Sequence, residues 1–216
     1  MKFLTDSPKD QEKLRSEIRA AYSSAVLENR RPSAQEITNI RIPYLDAVIE
    51  EILRKSLTVP SVSRRAMVDT KILGYHIPKG TDVFFMGNGP DFVQPAIPID
   101  EEARSATCQA SRGKVGSWTP PEDMDLFKPE RWLSTDAEGN VTFDSTAGPL
   151  LAFGLGPRGC FGRKMAYLEM RLNLVLLIWE FELKEVPQEL GGYEAFDGMT
   201  RHPRKCFVRL GTVKQP

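Results

Sequence analysis

Cys160 sits among residues whose types and spacing suit a thiolate acting as a metal ligand. The segment Phe153-Gly154-Leu155-Gly156-Pro157-Arg158-Gly159-Cys160-Phe161-Gly162 runs from a glycine-rich turn into the start of an apolar helical pattern. A thiolate ligates iron well when its charge is stabilised, and backbone N–H groups at a helix start are suited to point at sulfur. Gly156, Gly159 and Gly162 let the main chain pass close to a flat ligand, while Arg158 is placed to pair with a carboxylate of that ligand. A lone cysteine is ordinarily a buried thiol in a turn, by about ten to one. Five fixed positions, Phe153, Gly156, Arg158, Cys160 and Gly162, within ten residues reverse that balance.

Other chemistries fit less well. Gly154 to Gly159 also matches the Gly-x-Gly-x-x-Gly dinucleotide fingerprint before a helix, but no βαβ pattern surrounds it and Glu180, about 20 positions on, continues the helix. A cysteine hydrolase needs a histidine base, and the only histidines, His76 and His202, carry no nucleophile signature around them and read as solvated loop residues. Zinc would want further Cys or His near Cys160. Glu51 and Arg54, spaced i, i+3, read by default as a surface pair worth ~0 to 1 kcal/mol. Arg131, in Lys128-Pro129-Glu130-Arg131-Trp132, reads by default as a solvated turn residue.

The elements that must hold these residues are mainly helical with small sheets, an α+β class. Ser7, Pro8 and Asp10 supply an N-cap, a first helical position and an acidic first turn, and Leu14, Ile18, Ala21 and Ala25 form an apolar stripe ending before Arg31-Pro32. Ser33 and Glu36 form a capping box, and Pro43 opens a helix whose buried face is Tyr44, Leu45, Val48, Ile49, Ile52 and Leu53. The helical region is thus 7–56. A small β region follows at 58–86, with strands over Val68 to Leu73 and Asp82 to Met86 around a turn at Ile77 to Gly80. Residues 87–149 read as a long loop with a turn or short helix over Phe127 to Trp132, a stretch long enough to wrap a larger body or carry function. After the loop at 153–162, a helix over 161–181 has Met165, Leu168, Leu172, Val175, Leu176 and Trp179 on its apolar face. C-terminal strands occupy 182–212, with alternation from Cys206 to Leu210. No internal repeat or linker divides residues 1–216.

Composition narrows the class further. The 216 residues carry 29 basic and 29 acidic side chains, so no overall field favours nucleic acid. Three cysteines, Cys108, Cys160 and Cys206, are too few for a disulfide framework, which favours an intracellular setting. The longest apolar run, Leu174 to Trp179, is far short of the ~20 residues of a membrane span, so no transmembrane segment is expected.

Taken in order, Glu51-Ile52-Leu53-Arg54, Pro129-Glu130-Arg131-Trp132 and the Cys160 loop resemble the cytochrome P450 family of haem-thiolate monooxygenases. The first looks like the family's Glu-x-x-Arg helix and the second like its Pro-Glu-Arg-Phe segment, with Trp132 replacing Phe. The resemblance implies that Glu51, Arg54 and Arg131 form a buried ion-pair triad supporting the loop. It implies a haem cofactor with Cys160 as the axial thiolate on iron, and a haem-binding signature of Phe153, Gly156, Arg158, Cys160 and Gly162. Arg64, five residues before Asp69, matches the arginine that contacts a haem propionate, with Arg65 the alternative one step along. Asn88 to Phe92 and the tail from Thr200 to Leu210 look most like fungal, microsomal members.

The resemblance covers only the C-terminal half of a family member. It implies a partial P450 fold without the N-terminal half, the membrane anchor or the central oxygen-activating helix, so the haem face opposite Cys160 would lack a protein wall. In the complete family an NADPH-dependent reductase delivers electrons, a small organic substrate is hydroxylated with an atom from O2, and relatives are anchored at the endoplasmic reticulum. The expectation is a monooxygenase or its C-terminal portion, by analogy in fungal secondary metabolism; the alternative is a catalytically inactive truncated remnant with weak or no haem binding.

Overall fold

The computed structural model describes residues 1–118 and 120–213. Seven helices lie among them: α1 (Lys2–Asp6), α2 (Pro8–Ala21), α3 (Ser23–Leu27), α4 (Ala34–Asn39), α5 (Pro43–Ser56), α6 (Ala106–Ala110) and α7 (Arg163–Glu180). The capping box at α4 forms as the sequence predicts: Glu36 N–H donates to Ser33 Oγ at 3.2 Å, and Ser33 N–H to Glu36 Oε2 at 2.7 Å. Pro8 and Pro43 occupy first helical turns, where a missing N–H costs no bond. The helix expected to end before Arg31-Pro32 is broken at Tyr22 into α2 and α3, and α1 precedes both.

Ten short strands form five two-stranded antiparallel sheets among the described residues. β1 (Ser61–Arg65) pairs with β4 (Asp82–Met86), and between them β2 (Thr70–Ile72) and β3 (Tyr75–Ile77) make a hairpin across Leu73 and Gly74. The expected strand over Val68 to Leu73 is thus only Thr70–Ile72. The region read as loop from 87 to 149 contains α6, a 3-10 turn at Pro129–Trp132, and the hairpin of β5 (Leu133–Thr135) with β6 (Val141–Phe143). Near the C-terminus β7 (Phe181–Lys184) pairs with β10 (Arg209–Thr212), and β8 (Ala195–Asp197) with β9 (Arg201–Pro203). The strand expected over Cys206 to Leu210 therefore starts later, at Arg209. With every pair antiparallel, the dinucleotide alternative loses the parallel sheet it requires.

One core joins the helices that flank the cysteine loop. Leu14 and Ile18 of α2, Leu45, Val48 and Ile49 of α5, and Leu174, Val175, Ile178 and Trp179 of α7 are all buried in it. Polar groups fix the angle at which α7 lies: the Arg171 guanidinium donates to Ile37 O at 2.8 Å and Asp46 Oδ1 at 2.6 Å, and also to Ile40 O. Arg15 of α2 reaches the far end of α7 at Ile178 O and Phe181 O. The apolar face predicted for this helix is corrected here. Val175 and Trp179 are buried, but Met165, Leu168 and Leu176 are exposed, because the interior contacts come from the stripe through Leu174 and Ile178. The first turns of α7 present apolar side chains to solvent beside Cys160.

Candidate functional site

Among the described residues Glu51 accepts more hydrogen bonds than any other charged group. Glu51 and Arg54 share a face of α5 at i, i+3, and both are fully buried. Arg54 Nη2 donates to Glu51 Oε1 at 2.7 Å and Arg54 Nε to Oε2 at 2.8 Å, a parallel two-bond pair. The 3-10 turn supplies the rest: Lys128 N–H and Arg131 Nε donate to Oε1 at 3.0 and 3.2 Å, and Trp132 Nε1 to Oε2 at 3.0 Å. The guanidiniums are bonded outward in turn, Arg54 to Phe92 O and Leu126 O, and Arg131 to Asp123 O. The reading of Glu51 and Arg54 as a surface pair, and of Arg131 as solvated, is overturned by this burial.

Such a cluster is stable only because it is complete. Burial alone would push the Glu51 carboxyl up; the Arg54 hydrogen bonds and charge, the Lys128 amide and Arg131 reverse that and hold it below the usual range. Burial draws the Arg131 guanidinium down from its ordinary value, with Glu51 opposing. Trp118, which motif reading does not single out, covers both cations: its ring lies 5.6 Å from Arg54 Cζ and 5.5 Å from Arg131 Cζ, and meets Trp132 edge-on at 4.7 Å. The one signal for it in the sequence is an aromatic residue stranded in a Gly, Ser and Pro stretch.

The cysteine loop closes on itself. Cys160 N–H donates to Phe153 O at 2.7 Å, and Gly159 N–H to Gly156 O at 2.9 Å around a 3-10 turn at Gly156–Arg158. Gly154 and Gly156 both adopt a φ of 66°, a left-handed conformation that favours glycine. Gly162 caps α7, and a Cβ placed there would sit 3.9 Å from Cys160 Sγ. Among the described residues no backbone N–H is recorded donating to Cys160 Sγ, and the Cys160 amide itself donates to Phe153 O. The side chain of Cys160 is exposed, and so are its apolar neighbours Leu155, Phe161 and Met165. A Cβ at Gly156 would meet open space.

The remaining candidates are placed as follows. Arg158 is exposed and makes no side-chain hydrogen bond among the described residues. Strand pairing separates Arg64 from Arg65: Arg65 lies opposite Asp82 and grips it with two bonds of 2.8 Å, whereas the Arg64 guanidinium meets only the carbonyl of Ser63. Alternation along β1 sends the two arginines to opposite sides. No described hydrogen bond links Arg64 or Arg158 with Cys160, whereas Phe153 and Cys160 are brought together directly. His76 and His202 are exposed in β3 and β9, not in loops. No group of three or more His, Cys, Asp or Glu side chains suited to a metal occurs among the described residues. No helix is long and apolar enough to cross a membrane.

A cysteine on a glycine-rich loop leading into a helix, and a buried Glu-Arg-Arg cluster, occur together in a helix-rich fold with small sheets. The cytochrome P450 sequence profile matches residues 1–89 and 118–206, and the chain belongs to that family. It is similar to the cytochrome P450 monooxygenase TRI13 of Fusarium sporotrichioides, with 47% identity over 99% of this chain and 38% of the relative. It is also 42% identical to the Hps1-dma1 cluster cytochrome P450 monooxygenase cyp3.1 of Dothistroma septosporum, over 99% of this chain and 71% of that protein. A crystal structure of a cytochrome P450 (CYP102L1) superposes with a TM-score of 0.68 at 28% identity, covering 98% of this chain and 40% of the other. The chain therefore has a partial P450 fold and spans about two-fifths of the length of the Fusarium relative.

Proposed function

We propose that this chain is the haem-holding portion of a fungal-type P450 monooxygenase, with Cys160 as the thiolate ligand to iron. The observation that carries the reading is an exposed Cys160 side chain on a loop whose backbone is closed at Phe153 and whose surroundings, Leu155, Phe161, Met165 and the open side of Gly156, are apolar and uncovered. A sulfur donor outside any group of three or more His, Cys, Asp or Glu side chains among the described residues suits a metal that already carries four ring nitrogens. Arg158 and Arg64, neither paired with a carboxylate among the described residues, would hold the propionates, and Arg64 is favoured over the engaged Arg65. Gly156 and Gly162 leave room for a flat ring. Glu51, Arg54 and Arg131 would support the loop, as the family resemblance implies.

Oxygen chemistry would belong to the haem when bound, where a thiolate ligand favours O–O cleavage. The protein residues bind and orient it. Electrons would come from an NADPH-dependent reductase, and the substrate would be a small organic molecule, as the family resemblance implies. Reconstitution with haem, reduction and addition of carbon monoxide tests the reading. A far-red-shifted Soret band, lost in Cys160→Ala, is the expected outcome. An imidazole-like band, or none, would instead support an inactive remnant.

A further inference from the structure

Glu50, the neighbour of Glu51 on α5, turns to α7 instead of to the arginines. Its residue is 5% exposed, and Tyr167 Oη donates to Glu50 Oε1 at 2.7 Å. The other oxygen, Oε2, is buried without a partner among the described residues. The carboxyl borders a cavity of about 190 Å³ lined also by Arg41, Asp46, Ile49, Phe143 and Tyr167. From Tyr167 the path continues to the cysteine: its ring lies 5.2 Å from that of Phe153, tilted by 40°, and the Phe153 carbonyl accepts the Cys160 amide at 2.7 Å. The Arg163 guanidinium, 5.4 Å from the Tyr167 ring, covers it from the helix start.

We infer that Glu50 and Tyr167 are positioning residues that set Cys160 through Phe153, a function separate from the Glu51 cluster. A buried carboxyl with one bonded and one bare oxygen is a poor source of cohesion, since an apolar side chain of similar volume would hold α5 to α7 at least as well. What the carboxyl adds is direction. The hydroxyl bond fixes the azimuth of the Tyr167 ring, and that ring is the surface against which Phe153 is seated. Of the other loop bonds, Gly154 N–H to Leu151 O and Gly159 N–H to Gly156 O are internal to residues 151–159, and Arg163 N–H to Cys160 O at 3.3 Å ties the carbonyl of the cysteine, not its amide, to the start of α7. The consequence for iron rests on the haem-thiolate reading; the mechanical link does not.

Hydrogen exchange on the full chain without haem tests the link directly. Tyr167→Phe keeps the ring and loses the hydroxyl bond; the Cys160 amide is expected to exchange about tenfold faster, with amides of Leu174, Val175 and Ile178 unchanged. Glu50→Gln, which keeps an acceptor oxygen, should stay within about twofold of wild type, while Glu50→Leu should match Tyr167→Phe. An unchanged Cys160 amide in Tyr167→Phe, or equal acceleration along α7, overturns the inference. In haem-reconstituted protein the reduced carbonyl complex of Tyr167→Phe should show a smaller thiolate-type fraction than wild type. If wild type shows no such band, the haem reading falls while the exchange result still decides the link.

Discussion

Trp132 Nε1 donates to Glu51 Oε2 at 3.0 Å with both side chains fully buried, so the tryptophan that stands where the family resemblance leads one to expect phenylalanine is a working member of the ion cluster. Phenylalanine has no N–H. A hydrogen bond to a charged acceptor is worth about 1.5–3 kcal/mol when its loss leaves the acceptor dry. Trp132→Phe is therefore expected to lower unfolding free energy by roughly 2–3 kcal/mol, with some of the loss coming from the smaller ring. Urea denaturation measures it, and an unchanged midpoint would show that the bond is energetically idle.

Acid should loosen the same cluster. The Glu51 carboxyl is held below its ordinary value of 4.5 in the fold, so its ionised form contributes stability that is fully present above pH 4.5 and is lost as pH falls through the lowered value. Glu51→Gln removes that dependence. Its stability should be well below wild type at neutral pH, by about 3–5 kcal/mol because Arg54 and Arg131 lose their counter-charge, and the gap should narrow steadily below pH 4.5. Equal gaps at pH 7 and pH 3 would contradict this.

Glu50 should behave in the opposite sense. Burial pushes its carboxyl above 4.5, with the Tyr167 hydrogen bond and Arg163 opposing and Asp46 adding to the rise. A raised acid favours its protonated form in the fold, so the stability it contributes is complete below pH 4.5 and fades as pH climbs through the raised value. Glu50→Gln carries no charge to bury. Its thermal midpoint should match or exceed wild type at pH 8 and lose that relative advantage at pH 4, which thermal scans at the two pH values would show or refute.

Why some of this could be read from the chain and some could not follows from the kind of signal each residue gives. The capping box at Ser33 and Glu36 is local, and its bonds close within three residues, so residue type alone specifies it. Burial of Glu51 is not local: two of its five donors lie on its own helix at Arg54, and three come from Lys128, Arg131 and Trp132, more than 70 positions away. The hairpin of β5 and β6 was hidden because each strand has three residues, too few for alternation to register, and its turn is held by Asp136 accepting from the Glu138 and Asn140 amides. On α7 the apolar residues outnumber the places in the core. Periodicity identified the helix but left two stripes in competition, and only packing against α2, α4 and α5 selected Leu174 and Ile178 over Leu168 and Leu176.

Gly148 offers a test of the aromatic cover over the arginines that leaves every charged residue in place. A Cβ at this position would fall 2.5 to 2.6 Å from three atoms of the Trp118 ring, closer than real contacts allow, so the ring or the backbone must move. Trp118 cannot swing freely, because it is nearly buried, packs edge-on against Trp132 and lies over Arg54 and Arg131. Overpacking of this kind costs about 1–3 kcal/mol. Gly148→Ala should therefore destabilise by that amount and red-shift the tryptophan emission as the displaced ring meets water. Because Glu51 keeps all five of its donors, the acid transition below pH 4.5 should persist in the variant. If Gly148→Ala instead removed that transition along with the emission change, Trp118 would be part of what holds the Glu51 carboxylate ionised, not only a lid upon it.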